Sequence, residues 1–486
     1  MTMPIGRILA GLFPVAFAIT YVLLSFAATP NPVSALVRPL AVAVIVVVAL
    51  QAAIFAVVRR WDRAGLITAA IVMVVLANWV PLLVLAGGVA WLAASTWLQR
   101  RRGAATAWTE SRLARVTAVF AWALLVVAAV PVVVNQLTQP SFAAPRPENG
   151  DPPAAESDVV VLLLDGYPRG DALEAQFGVD PAPFEEELAA RGFSVAPSSR
   201  SNYTSTWMTI ASMVHGRYVH DIEGLGKPPA GPAEQYRRLM AAIHDAPILD
   251  ELRAQGYEIV TVPSPYESAA LTSADRILTP PEMTSFELSL LQHSLAGRLL
   301  FEGMPDLAFD QHRSRIYSSL DLVADEVADA SDAPRFVLAH LLAPHAPIAF
   351  GTAQEDPAPA CFPDCSLYLL GPAADWSRYP SHLEVVNRAV LDAVDRIREA
   401  SPDAMIVLMS DHGTVSASEH ARHAVSSFFA ASVPRESVSF PGDISPVDVI
   451  RLIVDPAAAP TLPYAAWESA AQEPMTTTPF AGTRGP

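Results

Sequence analysis

The chain has 486 residues, of which 52% are hydrophobic, and it carries a net charge of −17. The charge is unevenly divided, because residues 1–145 contain ten arginines, no lysine and only two acids, a net charge of +8. These values exclude an ordinary soluble protein, and the acidic remainder argues against a nucleic-acid partner, which would need a basic surface.

Apolar segments dominate the N-terminal third of the chain. They predict a transmembrane domain over residues 1–137 with about five helices, at roughly 8–28, 39–58, 65–80, 82–98 and 116–134. Each segment approaches the ~20 residues that a helix needs to cross the bilayer. The third and fourth segments meet at Pro81, so one long span with a re-entrant piece is the alternative.

Arginines predict the orientation of these helices. Arg59, Arg60 and Arg63 follow the second span, and a second group follows the fourth: Arg100, Arg101, Arg102, Arg112 and Arg115. The positive-inside rule places both groups in the cytoplasm. With five spans the rest of the chain lies outside, so we expect a multi-pass plasma-membrane protein with an extracytoplasmic C-terminal domain.

A Pro- and Ala-rich linker over 138–157 separates this part from an α/β domain, predicted over 158–465, with a largely parallel sheet. The tail, 466–486, is expected to be disordered. The clearest predicted strands are 158–164, 257–262, 335–341 and 404–409, and the clearest helices are 184–191, 245–254, 312–329 and 382–400.

Two of the predicted strands end in acidic residues. One strand runs into Asp165-Gly166, and another runs into Ser410-Asp411-His412-Gly413. Ligands of open α/β sheets bind beyond the carboxyl ends of the strands, so these side chains are candidates for a single site. Carboxylates beside an imidazole suit Zn²⁺ or Mn²⁺, and also Mg²⁺ or Ca²⁺. A simple turn is the alternative for Asp165-Gly166.

The hydroxyl-rich segment 198–216 is a candidate for the nucleophile. Thr206 is expected at the N-cap of a helix that Gly216 ends, where backbone N–H groups favour an anion. A hydroxyl bound to a metal there can lose its proton near neutral pH and attack an ester. The alternatives are a Thr that only caps the helix, and Ser205 or Thr204 as nucleophile.

Together these motifs resemble the alkaline phosphatase/sulfatase superfamily over about residues 158–465. In that family a first-strand acid, a nucleophile ten residues before a Gly, and a late Ser-Asp-His-Gly share one metal; Asp165, Thr206, Asp411 and His412 match in order. The resemblance implies an alkaline-phosphatase-like domain and a substrate contact by His345. Lipoteichoic acid synthases and phosphoethanolamine transferases are relatives with a similar plan of membrane helices and an external catalytic domain.

The chain departs from that family's pattern in three places. Sulfatases oxidise a Cys or Ser to formylglycine, which Thr206 cannot form, so phosphoryl rather than sulfuryl transfer is favoured. His340, His345, His420 and His423 are candidates for a second metal, but no Asp-x-x-x-His signature accompanies them, so one divalent metal is favoured. Lipoteichoic acid synthases begin the site with Glu, where this chain has Asp165.

The sequence therefore predicts a metal-dependent enzyme that transfers or hydrolyses phosphoryl esters of membrane lipid or envelope glycan. Thr206 is the expected nucleophile, His345 contacts the substrate or protonates the leaving group, and Arg169 and Arg200 are candidate phosphate ligands. Cys361 and Cys365 are expected to form a disulfide. The alternatives are a sulfatase-like hydrolase, acting as phosphodiesterase, phosphatase or sulfuric ester hydrolase, and a catalytically silent membrane scaffold.

Overall fold

The structure, a computed structural model, describes residues 11–27, 29, 31–76, 104–138, 157–225, 232–304, 307–350, 376–414, 425–434 and 437–459. Several predictions therefore lie outside the described residues: the fourth span at 82–98, linker residues 139–156, the Cys361–Cys365 disulfide, His420, His423 and the tail. The chain divides into two compact units. Unit 1 comprises Met1–Gln139 and Ser285–Pro305, and unit 2 comprises Pro140–Thr284 and Asp306–Pro486.

Unit 1 is helical in its described residues. Its helices are α1 (Phe13–Ala27), α2 (Val37–Val58), α3 (Trp61–Leu76) and α4 (Ala104–Leu137). Two of its segments, Val33–Val58 and Arg112–Leu137, are long and apolar enough to cross a membrane, and only 11% and 22% of their apolar windows are buried. A helix in the core of a soluble protein would be mostly buried, which these are not.

Two short helices complete unit 1, although they come from a distant part of the sequence. They are α10 (Ser285–Gln292) and α11 (Leu295–Gly303), and they pack as a hairpin. The sequence pattern had placed them inside the α/β domain over 158–465, whereas their contacts group them with the N-terminal helices. The outer boundaries predicted for the domains stay predictions.

Unit 2 contains a seven-stranded mixed sheet in the order β2-β7-β6-β1-β5-β3-β4. Its strands are β1 (Val159–Leu164), β2 (Ser194–Val195), β3 (Glu258–Val262), β4 (Arg276–Ile277), β5 (Arg335–Leu341), β6 (Met405–Met409) and β7 (Phe429–Ser432). Neighbouring strands from β6 to β4 are parallel, and β7 runs antiparallel to β6 and to β2. The predicted largely parallel sheet is therefore confirmed.

Helices cover both faces of the sheet. They are α5 (Gly170–Phe177), α6 (Ala182–Ala190), α7 (Thr206–His215), α8 (Pro232–His244), α9 (Ile248–Ala254), α12 (Leu307–Ala328), α13 (Tyr379–Ala400) and α14 (Pro446–Val454). All four of the clearest predicted strands and all four of the clearest predicted helices are present, with bounds shifted by a few residues.

The strand β1 explains why this fold has two apolar cores. Its residues are all buried, because parallel strands inside a covered sheet need apolar side chains on both faces. Val159, Val161 and Leu163 belong to the core that packs against α7 and α14. Val160, Leu162 and Leu164 belong to the core that packs against α12 and α13. The central strand is thereby fixed from both sides.

We expect Asp158→Ala to destabilise unit 2, because Asp158 balances a buried arginine at the start of β1 and β5. Its carboxylate accepts the Arg335 backbone N–H at 2.8 Å and lies 3.3 Å from the Arg335 guanidinium. Removing one partner of a buried ion pair is strongly destabilising, but Glu326 still lies 3.6 Å from the guanidinium and keeps part of the charge balance. The free energy of unfolding should therefore fall by about 3 kcal/mol. Chemical denaturation of the purified chain measures it, and Asp332→Ala, at an exposed acid, is the control. Equal stability of the two variants would contradict this role.

Candidate metal and nucleophile site

The site lies at the carboxyl ends of three neighbouring strands. Asp165 follows β1 directly, Asp411 and His412 follow β6 after Ser410, and His340 is the penultimate residue of β5. Because β1 pairs with both β5 and β6 in parallel, these ends meet at one edge of the sheet. The sheet thus brings together residues far apart in sequence.

Four of the residues that the sequence predicts for the site are close together. Nε2 of His412 lies 3.2 Å from Oδ2 of Asp411 and 3.8 Å from Oδ1 of Asp165. The hydroxyl of Thr206 lies 3.3 Å from Nε2 of His412 and 3.4 Å from Oδ2 of Asp165. All four side chains are buried. The ligand atoms of Asp165, Asp411 and His412 lie within 4.8 Å of one another, as a metal-binding group requires.

Backbone groups hold the two strand-end turns together. Gly166 N–H donates to Oδ1 of Asp411 at 2.9 Å, and Tyr167 N–H donates to the Ser410 hydroxyl at 2.8 Å. Gly166 has a φ of +69°, and a Cβ there would lie 3.2 Å from the ring of His345. A glycine is therefore required both by the backbone conformation and by the close approach of His345.

Two oxygens in this site are buried without a hydrogen bond, namely Oδ1 of Asp165 and Oδ2 of Asp411. Buried carboxylate oxygens are normally satisfied, because leaving such a group unpaired away from water is unfavourable. These two oxygens lie 3.8 Å and 3.2 Å from Nε2 of His412, so two carboxylates and one imidazole direct their ligand atoms at one point. This donor set fits a divalent metal such as Zn²⁺.

The pKa values of the site follow from the same crowding of charges. Burial alone would raise the pKa of Asp165, but the charges of His345, His340 and His412 and a hydrogen bond from His340 outweigh it and bring the pKa to about 2. Burial would lower the pKa of His412, but the carboxylates of Asp411 and Asp165 raise it. Asp165 is thus a carboxylate at physiological pH, and protonation of His412, which its raised pKa favours, would compete with metal binding.

The orientation of the His412 ring suits a metal ligand. Its Nδ1–H donates to the carbonyl of Gly413 at 2.7 Å, which leaves Nε2 as the atom directed at the carboxylates. A backbone carbonyl on the far nitrogen is the usual way in which a metal-binding histidine is held.

Thr206 is the first residue of α7, and Ser205 rather than Thr206 occupies the N-cap position. The helix therefore begins one residue earlier than the sequence pattern indicated. The Thr206 hydroxyl still lies at the N-terminal end, where the helix dipole stabilises negative charge. The Ser205 hydroxyl is buried without a hydrogen bond, so it remains the competing nucleophile.

Two histidines of the β5 end have different partners. His340 Nε2–H donates to Oδ2 of Asp165 at 3.0 Å, so it orients this carboxylate. The backbone N–H of His345 donates to the Asp165 carbonyl at 3.0 Å, and its Nδ1–H donates to the Ala346 carbonyl at 2.8 Å. The ring of His345 lies 6.3 Å from that of His412, centroid to centroid. His345 is therefore beside the predicted ligands, although its contact with substrate stays a prediction.

Sequence reasoning missed His382 and His312. Nδ1 of His382 accepts the Phe350 N–H at 3.2 Å, and its ring stacks on Phe350 at 5.4 Å, so it supports the segment that carries His345. Burial lowers the pKa of both His382 and His312 to about 3, and they stay neutral. The sequence does place His382 on the buried face of α13, but a helical pattern does not show which residues such a histidine contacts.

The two candidate phosphate ligands are less clearly placed. The guanidinium of Arg169 binds Asp171 at 2.7 Å and the Ser199 carbonyl at 2.6 Å. Arg200 is half-buried, and its backbone N–H donates to the carbonyl of Ile444 at 3.0 Å. Their role in binding phosphate stays a prediction.

Neither a protein-family model nor a curated protein matches this chain. Among solved structures, the chain is similar to the zinc complex of the C-terminal periplasmic domain of EcEptC from Escherichia coli, with 13% identity, a TM-score of 0.39, and coverage of 66% of this chain and 86% of that one. It is also similar to the integral membrane protein lipooligosaccharide phosphoethanolamine transferase A from Neisseria meningitidis, with 14% identity, a TM-score of 0.40, and coverage of 81% and 68%. A protein in the alkaline phosphatase superfamily from Vibrio parahaemolyticus gives 12% identity, a TM-score of 0.41, and coverage of 66% and 73%.

We expect Zn²⁺ affinity to fall as the pH is lowered from about pH 7 to about pH 5. The metal must displace the proton of His412, whose pKa is raised, whereas Asp165 stays ionised down to about pH 2. Below the His412 pKa, the affinity should therefore fall about tenfold per pH unit, the slope for one proton. Competition with a fluorescent chelator measures it, and His412→Gln should bind more weakly with a flatter profile. An affinity independent of pH in the native chain would contradict the assignment.

Proposed function

We propose that this chain is a membrane-anchored, metal-dependent enzyme that transfers or hydrolyses phosphoryl esters with Thr206 as nucleophile. One observation carries the proposal. Thr206 is the first residue of α7, and its hydroxyl lies within 3.4 Å of Oδ2 of Asp165 and Nε2 of His412. The carboxylates of Asp165 and Asp411 beside it each have one oxygen without a hydrogen bond. The substrate is an ester of a membrane lipid or an envelope glycan outside the cytoplasm.

The membrane location is supported by the exposure of the apolar helices in unit 1. Val46 and Ile45 of α2 are 57% and 67% exposed, and Val119 and Phe120 of α4 are 72% and 59% exposed. Large apolar side chains on the outside of a long helix are favourable in lipid and unfavourable in water. Both the apolar composition and its outward placement are therefore explained by a bilayer around unit 1.

One divalent metal is the expected cofactor. Asp165, Thr206, Asp411 and His412 would hold it, and it would lower the pKa of the threonine hydroxyl and offset charge on the phosphoryl oxygens. Zn²⁺ fits the donors best, and Mn²⁺, Mg²⁺ and Ca²⁺ are further candidates. His340 fixes the Asp165 carboxylate through its 3.0 Å hydrogen bond.

The protein residues perform a double displacement. The Thr206 hydroxyl gives up its proton to solvent and its Oγ1 forms a bond to phosphorus. The bond from phosphorus to the leaving alcohol breaks, and that alcohol takes a proton from His345. Water or an acceptor hydroxyl then attacks phosphorus and gives its proton to His345, the bond to Thr206 breaks, and the Thr206 oxygen takes a proton back from solvent. The N-terminal end of α7 stabilises the phosphoryl oxygens in both steps.

Phosphoryl transfer is favoured over sulfatase chemistry by the nucleophile itself. Thr206 occupies the place where a sulfatase would carry the Cys or Ser that becomes formylglycine. A secondary hydroxyl such as that of Thr cannot be oxidised to an aldehyde, whereas it can form a phosphate ester. A sulfuric ester hydrolase remains the alternative that an aryl sulfate probe would reveal.

We expect a covalent adduct on Thr206 when the full chain, loaded with Zn²⁺ or Mn²⁺, meets an aryl phosphodiester and is quenched in acid. Peptide mass spectrometry locates the adduct, and its mass gives the group transferred. Thr206→Ala should lose the adduct and at least about 10³-fold in turnover.

Ser205→Ala is the matched control, because it removes the neighbouring buried hydroxyl and leaves Thr206 in place. It should keep the adduct. An adduct that persists in Thr206→Ala and disappears in Ser205→Ala would assign the nucleophile to Ser205. Repeating the reaction with an added lipid or glycan alcohol separates a transferase from a hydrolase by its products.

A further inference from the structure

The hairpin of α10 and α11 is tied to unit 1 by specific contacts. The ring of Phe286 is buried against Phe26 of α1, with the centroids 5.8 Å apart. The Tyr21 hydroxyl donates to the Leu290 carbonyl at 2.9 Å, and Glu287 forms an ion pair with Arg38 of α2. The hairpin is therefore a built part of this unit.

The turn of the hairpin is also well defined. Ser294 caps α11, since its hydroxyl accepts the Gly297 N–H at 2.9 Å and donates to the Leu291 carbonyl at 2.8 Å. A Cβ on Gly297 would lie 1.8 Å from the Leu291 carbonyl oxygen, so only glycine fits there. The close packing of Ser294 and Gly297 against Leu291 therefore determines which side of α11 is exposed.

That outward face is apolar. Leu299 is 61% exposed, Leu300 36% and Met304 53%, and Ala296 and Gly303 are exposed as well. With 3.6 residues per turn, the residues Ala296, Leu299, Leu300 and Gly303 share one side of α11. The two charged residues of the helix, Arg298 and Glu302, are four residues apart and lie together away from that side. A helix with one exposed apolar face and its charge opposite is typical of the membrane interface.

The contacts of the hairpin also identify the end of unit 1 to which it belongs. Tyr21 and Phe26 lie in the last half of α1, Arg38 lies at the start of α2, and α11 also packs on α3. Arg59, Arg60 and Arg63 lie at the opposite end of α2, which the positive-inside rule assigns to the cytoplasm. The hairpin is therefore at the extracytoplasmic end of the membrane helices.

We infer that α10–α11 is a membrane-surface hairpin and that the apolar face of α11 enters the outer leaflet of the bilayer. The occupant of this face is lipid, because the hairpin is bound through Arg38 to α2, whose own large apolar side chains, Val37 and Val42 among them, are also exposed. The chain thus passes between the two units three times, near residues 139, 284 and 305. This inference rests on the membrane location proposed above.

Site-directed fluorescence in proteoliposomes tests the inference on the full chain. Single cysteines replace Leu299, Leu300, Arg298 or Ile45 in a chain with Cys361→Ser and Cys365→Ser, and each is labelled with an environment-sensitive dye. The vesicles contain phosphatidylcholine and phosphatidylglycerol, with a spin-labelled lipid as quencher inside the bilayer and iodide as quencher in water. Ile45, which is 67% exposed on α2, reports on the membrane location itself.

Labels at Leu299 and Leu300 should be quenched by the spin-labelled lipid and be at least about threefold less sensitive to iodide than the label at Arg298. Iodide quenching at Leu299 and Leu300 with lipid quenching at Ile45 would overturn the hairpin inference alone. Iodide quenching at Ile45 would overturn the membrane location and the inference with it. Protection of Leu299 from both quenchers would mean that protein covers the face, and would also overturn it.

Discussion

The architecture of unit 2 depends on two carboxylates that are buried at the ends of adjacent parallel strands. Asp165 and Asp411 are fully buried, and each keeps one oxygen without a hydrogen bond. Two negative charges with ligand oxygens within 4.8 Å of each other repel one another in a buried site, and burial is unfavourable for each charge. The surrounding imidazoles and the Gly166 N–H stabilise the charged form, and a divalent cation would satisfy the free oxygens. The site is therefore stable only as a charge-balanced group.

The sequence was sufficient to predict the central part of the fold. The runs before Asp165 and before Ser410 are short, continuous and apolar, as a parallel strand covered on both faces requires, and each is a strand in the structure. The rule that ligands bind beyond such strand ends correctly brought Asp165, Asp411 and His412 together. By contrast, β2 has only two residues, too few for a pattern of alternation to be visible.

Two features could not be read from local patterns. His340 lies near the end of an apolar strand, and only the register of β5 against β1 shows that it reaches Asp165. Similarly, the segment over 285–303 reads as ordinary amphipathic helix, because its sequence does not say which unit covers its buried side. The contact of His340 and the packing of 285–303 both depend on residues far apart in sequence, so a short stretch of sequence does not predict them.

The strand-end carboxylates also explain the place of Thr206. The Thr206 hydroxyl lies 3.3 Å from Nε2 of His412, close enough for both to bind the proposed cation, and the helix dipole would stabilise negative charge on that oxygen. A capping threonine would need only the helix. Its position against Asp165 and His412 supports the proposal that Thr206 is a nucleophile and not only the first residue of α7.

X-ray absorption spectroscopy at the zinc edge, on the full chain loaded with one equivalent of Zn²⁺, tests the central claim most directly. The account predicts one imidazole nitrogen and oxygen ligands at about 2.0–2.2 Å, no sulfur, and loss of this spectrum in Asp411→Ala. A sulfur ligand at about 2.3 Å would instead place the metal on Cys361 and Cys365. That result, or an unchanged spectrum in Asp411→Ala, would contradict a metal held by Asp165, Thr206, Asp411 and His412.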